Sequence, residues 1–323
     1  MKQKMFAALV VLAAHLLTPQ SAQAQTYPDR PIKLVVPSPA GGPPDVMARL
    51  LSDKMAASLG QPVIIENRGG AGGTIGARSV LSAAPDGYTL LMGSTSTLLI
   101  APAIYKNAGY NAGSFAPVAR VADSTEVLAV HPSVAVKSVA ELVALAKSQP
   151  GTLNFGSAGI GTLPHIEGEL LKARAQIDIN NVPYRGGGLA LTGLIGGQIQ
   201  VLFSTLTQML PNIREGRVRG LAVTSAARSK LAPEIPTMAE SGFDQFVVTS
   251  ISAIVAPPGT PADIRRRVNQ AVAGALSSAE VERSLSRMGG EARPASPEEL
   301  ASYLAGEQQR WARIIEATKV SVD

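Results

Sequence analysis

The 323-residue sequence has no cysteine, one tryptophan and only 4% aromatic residues. Without thiols there is no disulfide, no thiol nucleophile and no thiolate metal site. Histidine is nearly as scarce, three in all. Two of them, His131 and His165, lie beyond the first 24 residues, and no acidic cluster accompanies them, so no metal centre is expected. Charge is weak as well. The formal net charge of +5 falls by two when Lys2 and Lys4 are set aside, and the rest is scattered, whereas nucleic-acid binding needs a basic patch or stripe. No run is apolar for the roughly 20 residues that cross a bilayer.

The nearest to one, Met5 to Leu17 broken by His15, follows Met1-Lys-Gln-Lys4 and precedes Ala22-Gln23-Ala24. A short basic region, a short apolar stretch and an Ala-x-Ala ending describe a secretory signal peptide over residues 1–24. A disulfide-free exported chain fits the periplasm of a Gram-negative cell better than a stapled extracellular module.

What the remaining chain has in quantity is glycine placed after apolar runs. Leu34-Val-Val36 leads into Pro37-Ser-Pro-Ala-Gly-Gly-Pro-Pro44, after which Val46, Met47, Leu50 and Leu51 recur at helical spacing. Strand, Gly-rich loop and helix follow again at Pro62–Glu66, Asn67–Gly73 and Ile75–Ala84, and again at Leu153–Phe155, Gly156–Thr162 and Ile166–Ala173. Such units build parallel sheets with right-handed crossovers. Amides left free at the loop–helix junctions favour an anion. Asp45 stands at the first junction either as a helix cap or as a ligand contact.

Two segments break the alternation. Phe115 to His131 holds two β-rich pieces, Pro117–Val121 and Glu126–Val130, with no helix between, and Phe246 to Val255 is a continuous β-branched run. They read as two crossings between lobes, so that residues 25–122 and 250–323 form lobe one and 123–249 form lobe two. Helices are expected over Val139–Ser148, Leu189–Ile195, Gln208–Glu215, Ala262–Ser277, Ala279–Met288 and Pro297–Ala317. The fold class is α/β, two-lobed, each lobe a mainly parallel sheet flanked by helices, with a hinge of two crossing strands. A cleft between such lobes is a usual place for a small ligand.

Nucleotide chemistry is not supported. Gly70-Ala-Gly72-Gly-Thr-Ile75 and Gly159-Ile-Gly161-Thr-Leu-Pro164 lack the last glycine of the dinucleotide pattern, and no Gly-Lys-Ser or Gly-Lys-Thr occurs. Gly156-Ser-Ala-Gly159 lacks the spacing of a nucleophile elbow. A Ser157–His165 pair stays open as a hydrolytic site, against a His165 that bonds its own loop or the ligand.

Tyr27-Pro-Asp-Arg-Pro-Ile32, Pro39-Ala-Gly-Gly42 with Asp45, Glu66-Asn-Arg68, Gly70-Ala-Gly-Gly73, Pro85-Asp-Gly-Tyr-Thr-Leu-Leu91, Gly156-Ser-Ala-Gly159 with His165, Val182-Pro-Tyr184, Pro236-Thr-Met-Ala-Glu240 and Trp311 together resemble the substrate-binding receptors of tripartite tricarboxylate transporters, the TctC or Bug family. The resemblance implies a periplasmic, non-enzymatic receptor without a cofactor, expected as a monomer. It would close on a small carboxylate and deliver it to a membrane permease, or report it to a sensor kinase. Family receptors hold the acid mainly through backbone amides and water from one loop per lobe. Here those loops are Ser38–Asp45 and Ser157–His165. The residues expected at the ligand are Ser38, Ala40, Gly41, Gly42 and Asp45; Ser94 and Thr95; Ser157, Ala158, Gly159, Gly161, Thr162 and His165; and Tyr184 and Ser204. The sequence departs from the family pattern at Ser38, where an aromatic residue is common, at Pro44, and at Ser204, where an aspartate is usual. Loss of that acid weighs against a ligand amine.

Overall fold

The computed structural model describes residues 27–244, 246–287 and 290–322; the expected signal peptide lies outside them. The first unit runs β1 (Ile32–Val36), α1 (Pro43–Leu59), β2 (Val63–Asn67), α2 (Thr74–Leu81) and β3 (Thr89–Ser94). β1 pairs in parallel with both β2 and β3. Of the four residues at helical spacing in α1, Met47 and Leu51 are buried, Leu50 is half-buried and Val46 is exposed; Met55 and Leu59 complete the buried stripe. Gly60 ends the helix in the left-handed region at φ 75° and returns its N–H to Ala56, the usual glycine stop.

A π-turn, Ser96–Ile100, and a short helix α3 (Ala101–Ile104) follow β3. β4 (Ala116–Val130) is one 15-residue strand, not two pieces. Its middle, Ala122-Asp-Ser-Thr125, has little β propensity of its own but is held extended by partners on both sides.

The second unit runs α4 (Val139–Ser148), β5 (Asn154–Ser157), α5 (Leu163–Ala175), β6 (Asn180–Pro183), α6 (Gly187–Ile195), β7 (Val201–Thr205), α7 (Leu206–Arg214) and β8 (Arg219–Val223). Ser138 caps α4 through the Glu141 N–H, while the Glu141 carboxylate takes the N–H of Lys137. The chain closes with β9 (Thr249–Ala256), α8 (Ala262–Leu276), α9 (Ala279–Arg287), β10 (Gly290–Ala295) and α10 (Pro297–Thr318). β6 and β10 escape the sequence reading. β10 is an edge strand with Pro294 at a register shift against β4, where a proline costs no ladder bond.

The strand order is β2-β1-β3-β9-β4-β7-β5-β6, with β8 and β10 also on β4. The sheet is mixed: its outer strands pair in parallel, whereas β9 and β4 run antiparallel to their neighbours. From Ala116 to Thr125, β4 pairs with β9; from Glu126 to Val130 it pairs with β7. One apolar cluster joins Val35 and Leu91 to Leu128, Phe155, Phe203 and the buried Trp311 of α10. Two others fill the opposite faces, one under α1 and α8, the other under α6 and α7.

Candidate ligand site

The first loop is shaped by Asp45. This residue is 2% exposed, and its Oδ2 accepts from the Gly41 amide at 2.9 Å and Arg49 Nε at 3.0 Å, while Oδ1 accepts from Asn67 Nδ2 at 2.9 Å. Burial opposes ionisation, but the hydrogen bonds from Arg49, Gly41 and Asn67 together hold the carboxyl below its usual range. Asp45 thus ties its own loop in place, close to the capping alternative.

Few amides at this helix start are left for an anion. Pro43 and Pro44 open α1 and have no N–H, Gly41 donates to Asp45, and Gly42 donates to Pro39 O at 3.4 Å. Among the described residues, Ala40 N has no protein acceptor. The free donors expected at the helix start are therefore mostly spent, and the loop's remaining polar group is the Ser38 hydroxyl. Ser38 Oγ is buried and has no partner.

The second loop is better supplied. The amides of Ala158 and Gly159 have no protein acceptor among the described residues. Gly161 N donates to His165 Nδ1 at 3.4 Å, and Thr162 Oγ1 donates to Gly159 O at 2.6 Å. Burial pushes the His165 pKa down, so the ring is neutral, with Nδ1 accepting and its proton on Nε2. Ser157 is fully buried and its Oγ has no partner. His165 therefore bonds its own loop, not Ser157, and the contact that would activate a nucleophile is missing.

The remaining candidates divide. Thr95 Oγ1 accepts from Ile251 N at 2.9 Å and reaches Thr249 O at 3.5 Å, so it fastens the π-turn to β9. Ser94 Oγ turns back to Thr97. Tyr184 donates its amide to Ser157 O at 2.9 Å and braces the second loop. Ser204 Oγ donates to Gln208 Oε1 at 2.8 Å; along β7 it faces away from Thr205, whose Oγ1 is buried without a partner. Thr205, Glu126 and Glu167 are buried polar residues near this loop that the sequence reading missed. Glu167 has a detectable signal, since it interrupts the apolar stripe of Leu163, Ile166, Leu170 and Leu171.

The second loop and the start of α5 touch the segment that follows β3. Leu163 N donates to Ser96 Oγ at 2.9 Å, and Tyr105 OH donates to Ile160 O at 2.9 Å. A sequence profile described as "Tripartite tricarboxylate transporter family receptor" matches residues 47–320. The chain belongs to that family. It is a receptor, not an enzyme, and the family is periplasmic. Protein BugT of Bordetella pertussis is 37% identical over 312 residues, 96% of this chain and 95% of its own. Two solved receptors are similar throughout. MatC from Rhodopseudomonas palustris with bound malate has a TM-score of 0.85 and 34% identity, covering 90% of this chain and 100% of its own. An R. palustris structure with adipate has a TM-score of 0.87 and 32% identity, covering 91% and 99%. These receptors are two-domain periplasmic binding proteins, the architecture that the Gly-rich repeats and paired crossings predict.

Proposed function

We propose that this receptor captures a small carboxylic acid between Ser38–Asp45 and Ser157–His165 and hands it to the membrane permease of a tripartite tricarboxylate-type transporter. Residues 25–122 with 250–323 act as one lobe and 123–249 as the other, β4 and β9 forming the hinge. The reading rests on one observation: each loop carries a buried hydroxyl with no partner, Ser38 Oγ and Ser157 Oγ. Unpaired buried donors are costly unless a ligand completes them. Malate and adipate in the related receptors support a carboxylic acid as the ligand. A ligand touching both loops binds the closed form better than the open one, which is the differential affinity closure requires.

Calorimetric titration with a panel of mono-, di- and amino-carboxylic acids tests the reading. At least one acid is expected to bind, and Ser38→Ala and Ser157→Ala each to weaken it by about tenfold. Cells with and without the permease should then differ in uptake of that acid. A panel without a binder, together with mass spectrometry finding no acid on the purified receptor, refutes it.

A further inference from the structure

Below the second loop lies a group of polar side chains that the capture mechanism does not use. Glu126 is 2% exposed and Glu167 is fully buried. Both Glu167 oxygens lack a hydrogen-bond partner, as do the hydroxyls of Ser157 and Thr205. The topology brings all four together. Glu126 lies directly opposite Thr205 in the β4–β7 register. Ser157 ends β5, the next strand, on the same face as Phe155. Gly168 of α5 sits so close to Phe155 that an added Cβ would approach the ring to 2.1 Å, which sets neighbouring Glu167 over that face. Strand ends and helix start are all on the side of the Gly-rich loops, and Ser157 belongs to both groups.

The charge that bears on Glu167 is that of Glu126, a like charge. Among the described residues no cation bears on either acid, and Lys172, on the same helix as Glu167, is paired with Glu169. Burial raises Glu126 to about 8 and Glu167 well above its ordinary value, as happens to carboxyls left without a counter-charge. The two hydroxyls are independent of the acids and equally unsatisfied. Together they hold no cationic donor of their own, and a cation placed among them would favour the carboxylate forms, turning the cluster into a set of oxygen acceptors.

We propose that Glu126, Glu167, Ser157 and Thr205 form a cation-holding end of the ligand site, and that the solute is a carboxylic acid bearing an ammonium group. The inference rests on the carboxylate reading of the two loops. An ammonium group has three donors and no acceptor, which suits a pocket of acceptors; a zwitterion would also enter the closed cleft with little net charge. Ser204, whose identity weighs against an amine in sequence terms, bears on the opposite face of β7 and does not touch this one.

Calorimetry on the full receptor, stripped of ligand, compares butanoate, succinate, 2-aminobutanoate and 4-aminobutanoate, then hexanoate, adipate and 6-aminohexanoate. An amino acid of one series is expected to bind about ten- to a hundredfold more tightly than the monoacid and diacid of the same length. Glu126→Gln and Glu167→Gln, which keep shape and remove charge, should each abolish that preference while leaving monoacid affinity nearly unchanged. Acids that bind with no preference for an ammonium, or with a preference for the diacid, overturn this inference alone. Failure of every acid to bind overturns the carboxylate reading and this inference with it.

Discussion

The residues that matter most here are distinguished by what they lack. Ser38, Ser157 and Thr205 have buried hydroxyls with no partner, and Glu167 has a buried carboxyl with none. That they lack partners is not visible in composition or spacing, although Glu167 interrupts an apolar stripe. The Gly-rich loops mark their own place, so Ser38 and Ser157 are legible. Ser204 against Thr205 turns on strand parity, because one step along β7 exchanges the two faces. The acid pair also gives a pH prediction. Glu126 has a folded pKa of about 8, above its unfolded value, so its contribution to stability is complete below about 4.5 and is lost as pH rises through 8. Glu167 and Asp123 shift the same way. His165 is shifted downward and acts in the opposite sense, but only below about 6.5, its unfolded value. Urea unfolding of the ligand-free receptor should therefore show stability falling between about pH 6.5 and 8, by at most about 1.4 kcal/mol per pH unit for each carboxyl. The Glu126→Gln, Glu167→Gln double variant should flatten that slope; an unchanged slope would mean that the pair is solvated or paired in solution.

Elements are legible where hydrophobic periodicity is clean and are lost where tertiary pairing overrides it. α4, α8 and α10 stand close to their expected bounds, because each has an apolar stripe and punctuation such as Ser138, Pro261 or the Ser296–Glu299 capping box. β6, at Asn180–Pro183, has no apolar alternation and is a strand because β5 lies alongside it. The π-turn at Ser96–Ile100 resembles a helix in sequence, and the free hydroxyl of Ser96 is what lets it receive Leu163 N. Helix α5 lies close on the sheet through one small residue: a side chain at Gly168 would meet three atoms of the Phe155 ring. Gly168→Ala is accordingly expected to destabilise the protein by about 1–3 kcal/mol despite its better helix propensity. The same shift should weaken ligand binding, since α5 carries the second loop and Glu167. Thermal unfolding and titration on one preparation check both, and a stabilised variant with full affinity would show that α5 has room to move.

At the scale of the molecule, two-lobed organisation follows from the repeated strand–loop–helix units and from β4 and β9, the strands that interrupt them. Their antiparallel partners and the apolar cluster running from Val35 to Phe203 are consequences of topology that single segments do not announce. In the described residues the second loop and the start of α5 touch the segment that follows β3, through Tyr105 OH on Ile160 O and Leu163 N on Ser96 Oγ. Neither side chain is among the groups assigned to the ligand. Both contacts join segments that opening of the cleft would separate, so they favour the closed form without discriminating between ligands. Removing them should lower the closed population and leave the free lobes as stable as before. Tyr105→Phe with Ser96→Ala is thus expected to weaken every ligand by a common factor of about ten. Faster release should account for most of it, because closure holds the ligand after encounter. Stopped-flow rates together with the Tm of the ligand-free protein separate this from damage to the fold. A loss confined to one ligand would place Ser96 or Tyr105 in the binding site, and an unchanged release rate would mean that the closed form does not depend on these contacts.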